Sequence, residues 1–219
     1  LPTAQLGGAV STLAISGGRA WLATGQRLQA VDASDPSQPR LLGESAALPD
    51  AIRALAVDGD TVYAGAGTSG LVVFDVADPA GPQVMATIPT TWSVNDVALL
   101  GEHAILAEGS AGLRVLDVGR PMDPDVLGQI DTPGDALAVA IQGSTVYVAD
   151  WGTGVRVIDL ADPAQPREIA AIDTPGEAAD VAAAGDLLLV ADRSGGLQVV
   201  DISRPAAPRL LATLEIPGD

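Results

Sequence analysis

The chain repeats itself, and the repeat limits what it can become. Five aspartates each close a run of apolar residues: Asp32, Asp75, Asp117, Asp159 and Asp201, spaced 43, 42, 42 and 42 residues apart. A proline pair follows each one: Pro36 and Pro39, Pro79 and Pro82, Pro121 and Pro124, Pro163 and Pro166, Pro205 and Pro208. A fixed period of this kind selects architectures that stack one supersecondary unit on the next. Five such units fill nearly all of the 219 residues, which leaves no room for a second domain.

One unit reads as four short strands. Residues 136–141 are apolar and small, and Gln142-Gly143-Ser144 is a hairpin turn. Thr145 to Ala149 is rich in β-branched residues, which favour a strand. Asp150 to Gly154 turns again, and Val155 to Leu160 is a third strand. Asp162 to Pro166 cannot lie inside a helix, because each proline removes a donor and clashes one turn back. Arg167 to Ile172 is the fourth strand. Four strands in about 40–45 residues is the period of a propeller blade. The strands are apolar on both faces, as in Leu71-Val72-Val73-Phe74. A sheet with one wet face alternates apolar with polar, so these sheets are expected to be covered on both sides. The first strands are rich in alanine (Ala182, Ala183, Ala184), which suits a crowded centre. The expectation is an all-β, five-bladed β-propeller with four antiparallel strands per blade, with blades at about 1–46, 47–89, 90–131, 132–173 and 174–219.

Composition removes several functions. The formal net charge is −17, with 28 acidic residues against 11 basic. Nucleic-acid backbones and anionic membranes repel such a surface. Aromatics make up only 3%, too few for a base-stacking platform. There is no cysteine, which excludes thiolate catalysis. No run approaches the roughly 18 apolar residues of a membrane helix. No signal peptide is visible, and Leu1 in place of methionine suggests a processed or excised segment.

The third-strand motif resembles a known family. Gly70-Leu71-Val72-Val73-Phe74-Asp75-Val76-Ala77-Asp78-Pro79 and Gly196-Leu197-Gln198-Val199-Val200-Asp201-Ile202-Ser203-Arg204-Pro205 look like the LVIVD repeat. So do Val146 to Asp150 and the Asp-Thr-Pro-Gly connectors at Asp131 to Gly134 and Asp173 to Gly176. The resemblance recurs in every unit. It implies a β-propeller of an exported or surface-attached bacterial or archaeal protein, without a defined activity. The first unit departs from the pattern: Gly25-Gln26-Arg27-Leu28 lacks the Gly-Leu pair and is about one residue short, as in a capping repeat. Leu1-Pro2-Thr3 matches Ile88-Pro89-Thr90, and the chain ends on Ile216-Pro217-Gly218-Asp219. Five whole blades could therefore close by packing the fifth on the first. In a piece of a larger propeller, both terminal blades would instead expose an apolar face.

A residue needed in every unit serves every unit. The repeated Asp32, Asp75, Asp117, Asp159 and Asp201 are therefore read as turn caps that accept backbone N–H groups. Calcium is a weaker reading. Asp32/Asp35, Asp75/Asp78 and Asp159/Asp162 are acidic pairs, but Arg120 and Arg204 replace the second acid in two units and no calcium-loop pattern occurs. No metal or cofactor is expected. The lone His103, in the turn Gly101-Glu102-His103, is read as a solvated loop residue.

A binding site must break the repeat. Nine residues before each strand-end aspartate stand Ala66, Glu108, Asp150 and Asp192; twenty-one before stand Ala54, Asp96, Ala138 and Asp180. Both sets are expected on one face, near the channel mouth, with Trp92, Trp151, Arg53 and Arg193 in the same loops. Exposed Trp and Arg are common binding anchors, while Trp21, inside a second strand, is read as core. The expected function is a non-catalytic binding or scaffolding module, engaging a protein or glycan through that face. It would be a monomeric domain or part of a larger chain at the cell surface or outside the cell, without nucleic-acid binding or membrane insertion. A structural spacer or assembly unit is the alternative. A hydrolase working through Asp96 and Asp180 would need those carboxylates to be convergent and unequal in pKa.

Overall fold

A computed structural model describes residues 9–215. The match of Leu1-Pro2-Thr3 to Ile88-Pro89-Thr90 and the terminal Ile216 to Asp219 lie outside the described residues. Among the described residues, twenty strands form five four-stranded antiparallel sheets, each in sequence order across the sheet. Blade one holds β1 (Val10–Ser16), β2 (Arg19–Thr24), β3 (Arg27–Asp32) and β4 (Arg40–Glu44). Blade two holds β5 (Ala54–Asp58), β6 (Thr61–Gly65), β7 (Leu71–Asp75) and β8 (Gln83–Ile88). Blade three holds β9 (Asp96–Leu100), β10 (His103–Ala107), β11 (Leu113–Asp117) and β12 (Asp125–Ile130). Blade four holds β13 (Ala138–Gln142), β14 (Thr145–Ala149), β15 (Val155–Asp159) and β16 (Arg167–Ile172). Blade five holds β17 (Asp180–Ala184), β18 (Leu187–Ala191), β19 (Leu197–Asp201) and β20 (Arg209–Leu214).

The sequence expectation starts the first strand of blade four at Ala136, two residues early. Ala136 instead forms an isolated bridge to Gly109. The short turn in blade one is a two-residue hairpin, closed by the pairing of Thr24 with Arg27. Among the described residues the one helical element is a 3-10 turn at Arg193–Gly195, and no helix is long and apolar enough to cross a membrane.

The chain divides into two compact units, one holding blades one and two and the other blades four and five. In the first, Trp21, Ala23, Leu28 and Ala30 of blade one pack on Leu55, Val62, Ala64 and Phe74 of blade two. Trp21 is thus core. In the second, Ala138, Tyr147, Ala149, Val155 and Val157 of blade four pack on Val181, Leu188, Val190 and Val200 of blade five. Both junctions use the same repeat positions. The front face of one blade meets the rear face of the next, which is why the strands are apolar on both sides.

Candidate functional site

The strand-end aspartates make local turns. Asp75, Asp159 and Asp201 accept the N–H two residues on, from Ala77, Ala161 and Ser203 (2.9–3.0 Å). Asp32 accepts from both the N–H and the hydroxyl of Ser34, and Asp32 and Asp159 each add an arginine, Arg40 and Arg167, at 2.9 Å. The Ser34 hydrogen bonds hold the Asp32 carboxyl at about 2, helped by Arg40. Backbone donation from Ala161, then Arg167, lowers Asp159, and Ser203 lowers Asp201. The second aspartates repeat the device: Asp35, Asp78 and Asp162 accept from Ser37, Ala80 and Ala164. Each acidic pair therefore caps two successive turns. Among the described residues, no three metal-ligating side chains gather.

Glu108, Asp150 and Asp192, expected at an open mouth, are instead buried inside their blades. Asp150 accepts the Thr132 hydroxyl (2.6 Å), the Gly134 N–H (3.0 Å) and the Thr153 hydroxyl, and its Oδ2 lies 3.5 Å from Arg156 Nε. Asp192 repeats this with Thr174 (2.6 Å), Gly176 N–H (2.8 Å) and Gln198 (3.3 Å). Each acid staples the Thr-Pro-Gly connector that enters its blade. The glycine is obligatory, because a Cβ on Gly134 or Gly176 would stand 2.1 Å from the carbonyl oxygen of the acid. Glu108 faces Arg114 at 2.9 Å. Burial lifts the Glu108 carboxyl, and Arg114 opposes the lift. The partners of these acids lie six positions on and are not among the residues expected at the site: Glu108 with Arg114, Asp150 with Arg156, Asp192 with Gln198. Blade two has Ala66 and Val72 at those positions, apolar together. That joint change was the available signal that the carboxylates belong to the interior.

Trp151 and Arg193 are brought together. The Arg193 guanidinium lies 4.3 Å from the centre of the Trp151 ring, a cation–π stack. Both residues hold a left-handed backbone, φ 51° and 42°, where the same repeat position elsewhere is Gly67 (50°) and Gly109 (52°). The left-handed turn is demanded by the fold: Gly67, Gly109 and Trp151 each bridge to the following connector, at Val94, Ala136 and Ala178. Glycine meets that demand without strain, whereas a side chain there costs about 1–2 kcal/mol. Blades four and five carry that cost. Trp151 remains 36% exposed, and Arg193 is exposed.

The other candidates are placed individually. Asp180 Oδ1 accepts the Val181 N–H, and Asp96 Oδ1 the Val97 N–H (both 2.8 Å). Arg53 donates to Asn95 Oδ1 at 3.1 Å. Trp92 is exposed, with its carbonyl accepting the Thr90 hydroxyl. His103 opens β10 and is half-buried, its Nδ1 3.2 Å from the Leu100 carbonyl oxygen; it is no loop-tip residue.

The family model described as the LVIVD repeat matches residues 7–46, 51–90, 93–132, 133–174 and 175–214. No curated protein matches the sequence. Among solved structures, the β-propeller domain of Cps50 (Swd1) from Myceliophteria thermophila aligns with TM-score 0.78 at 12% identity, over 97% of this chain and 73% of that one. The computationally designed Ika8 protein aligns with TM-score 0.71 at 14% identity, over 90% of this chain; this chain spans 59% of Ika8. The designed Ika4 protein gives 0.62 at 15%, over 73% of this chain and 96% of Ika4. At these identities the likeness is one of fold, and the fold is the β-propeller.

Proposed function

The chain belongs to the LVIVD-repeat family, and from that premise we propose that it is a non-catalytic binding module of an exported or cell-surface protein, engaging a protein or glycan partner through Trp151 and Arg193. The observation that carries this reading is the stacked pair at two positions where the repeat elsewhere has glycine. Backbone strain persists where the side chain is needed for something else, and neither side chain is needed for the turn itself. Trp and Arg are also the residue types that most often dominate binding surfaces. A module without catalysis agrees with the local use of the carboxylates: Asp96 and Asp180 cap their own strands, and Asp150 and Asp192 staple connectors. The exported setting is part of the proposal and is supported only by the resemblance to the family.

The test restores the repeat. The double variant Trp151→Gly/Arg193→Gly places glycine where Gly67 and Gly109 already stand. It is compared with the parent on a glycan array and on a displayed peptide library. The expected result is a melting temperature kept within about 3 °C and the loss of every reproducible ligand of the parent. Ligands retained by the variant overturn the reading. So does a steep loss of stability, which would make the pair a structural cover.

A further inference from the structure

Arg193 differs from Arg114, Arg156 and Arg167 of the same compact unit. Arg114 meets Glu108 at 2.9 Å, Arg156 meets Asp150 at 3.5 Å and Glu168 at 3.6 Å, and Arg167 meets Asp159 at 2.9 Å. Arg193 instead has the Trp151 ring, 4.3 Å from its guanidinium carbon to the ring centre. Among the described residues, no oxygen accepts its side-chain N–H groups. A guanidinium stacked on an aromatic face keeps its in-plane donors, a fork that matches the two oxygens of a carboxylate. The ring also holds the fork in place, so little freedom is lost when an acceptor arrives.

The turns that carry the pair are otherwise small and polar. Gly152 and Thr153 follow Trp151, and Ser194 and Gly195 follow Arg193. One acid lies between the two turns. Glu177 precedes Ala178, the bridge partner of Trp151, and its Oε2 accepts the Ser194 hydroxyl at 3.2 Å. Its Oε1 has no donor among the described residues. One side of the site thus offers a fork of donors, and the other offers an acceptor.

We propose that Arg193, Trp151 and Glu177 bind a terminal sugar acid, a hexuronate, with the Arg193 fork on its carboxylate and Glu177 accepting a ring hydroxyl. This rests on the reading of Trp151 and Arg193 as a binding pair, and it names the ligand of that pair. The carboxylate is the group that an unpaired guanidinium fork binds through two parallel hydrogen bonds. A sugar carries it rather than a peptide, because the two turns hold one aromatic ring and no other apolar side chain, whereas a protein interface centres on an apolar core. A single acidic unit fits better than a polyuronate, because a net charge of −17 repels a long polyanion.

The test follows the indole N–H signals of the isotope-labelled 219-residue chain by nuclear magnetic resonance at neutral pH. The Trp151 signal is the one missing from Trp151→Gly. The probes are methyl glucuronide, methyl glucoside, sodium acetate and a short peptide with one glutamate. Methyl glucuronide is expected to move the Trp151 signal to saturation, with each other probe at least about tenfold weaker. Arg193→Gln removes charge and fork, and Arg193→Lys keeps the charge alone; both are expected to weaken the glucuronide about tenfold or more. A glucoside that binds as well as the glucuronide overturns the carboxylate, and a peptide that binds as well overturns the sugar. Equal binding of acetate, full affinity in either Arg193 variant, or a glucuronide that leaves Trp151 unmoved also overturns the proposal. In each case a different ligand of the parent that is lost in Trp151→Gly/Arg193→Gly still upholds the pair as a binding site, so the two readings fail separately.

Discussion

In blade four, Tyr147 has no exposed surface; at the same repeat position in blade five, Leu189 is 39% exposed. The difference runs along whole strands. Every residue of β14 is buried, whereas β18 alternates, with Leu188 and Val190 inside and Leu187, Leu189 and Ala191 outside. The two blades have nearly the same apolar pattern, the same connector staple and the same capped turns. What separates them is cover, and cover is not written in the blade. An apolar face in a repeat protein acquires its energetic value from the next unit, so two almost identical strands can stand at opposite ends of the stability scale.

The largest expected effect breaks this comparison at one position. Tyr147→Ala is expected to cost about 3–5 kcal/mol, the range for emptying a large buried side chain. Leu189→Ala, measured by denaturant unfolding at high dilution, is expected to change stability by no more than about 0.5 kcal/mol. Equal costs would mean that the two faces are equally covered in solution. Tyr147→Phe sharpens the point. The Tyr147 hydroxyl is buried with no hydrogen-bond partner, and burial raises its pKa. Its removal is expected to be neutral or to add about 1 kcal/mol.

A smaller effect separates the two connector staples. Asp150→Ala leaves the Thr132 hydroxyl and the Gly134 N–H without their acceptor, beside the largely buried Arg156. A loss of about 3 kcal/mol is expected, as for breaking a buried charge pair from one side. Adding Arg156→Val copies the Ala66/Val72 arrangement of blade two and is expected to return at least about 1 kcal/mol, visible as non-additivity in a double-mutant cycle. In blade five the partner is the neutral Gln198, so Asp192→Ala is expected to cost about 1–3 kcal/mol. A larger loss in blade five than in blade four would show that the connector bonds, not the charge partner, dominate.

Much of this was legible in the chain. The period, the four strands per unit and the two apolar faces follow from Asp spacing, proline pairs and unbroken runs such as Leu71 to Phe74. The strand-end aspartates could be read because an Asx turn is local, complete within three residues. Asp150 was misplaced because its role is not local. Its connector donors lie 16 and 18 residues upstream and its arginine six downstream, with only Thr153 nearby, and a lone carboxylate in a turn looks the same whether it faces water or a connector. Trp151 and Arg193 stand out in the sequence as anchor-type residues in the loops where the repeat is broken. Their stacking depends on a one-repeat offset across neighbouring blades, and their strain on a left-handed turn that only the backbone reveals.

Acid offers the smallest effect and a control, because it acts on a feature that blades four and five share. The Ala161 N–H lowers the Asp159 pKa most, and the Ser203 hydroxyl and then its N–H lower that of Asp201; elsewhere the hydroxyls and N–H groups of Ser34 and Ser37 lower Asp32 and Asp35, and the Thr68 N–H lowers Asp50. A carboxylate lowered by folding contributes stability above its unfolded value, near 3.8, and loses it as pH falls through the folded value, about 2 for Asp32. Stability is therefore expected to fall between about pH 4 and pH 2, followed by thermal melting in that window. Glu108 runs the other way: burial raises it, so its contribution is present below its unfolded value and lost as pH rises through the folded one. Asp159→Asn and Asp201→Asn should each flatten the acid limb by a similar amount, since both side chains sit at turns outside the covered faces. Unequal flattening would mean that cover reaches the turns as well as the strands, and the distinction between the two blades would then extend over their whole length.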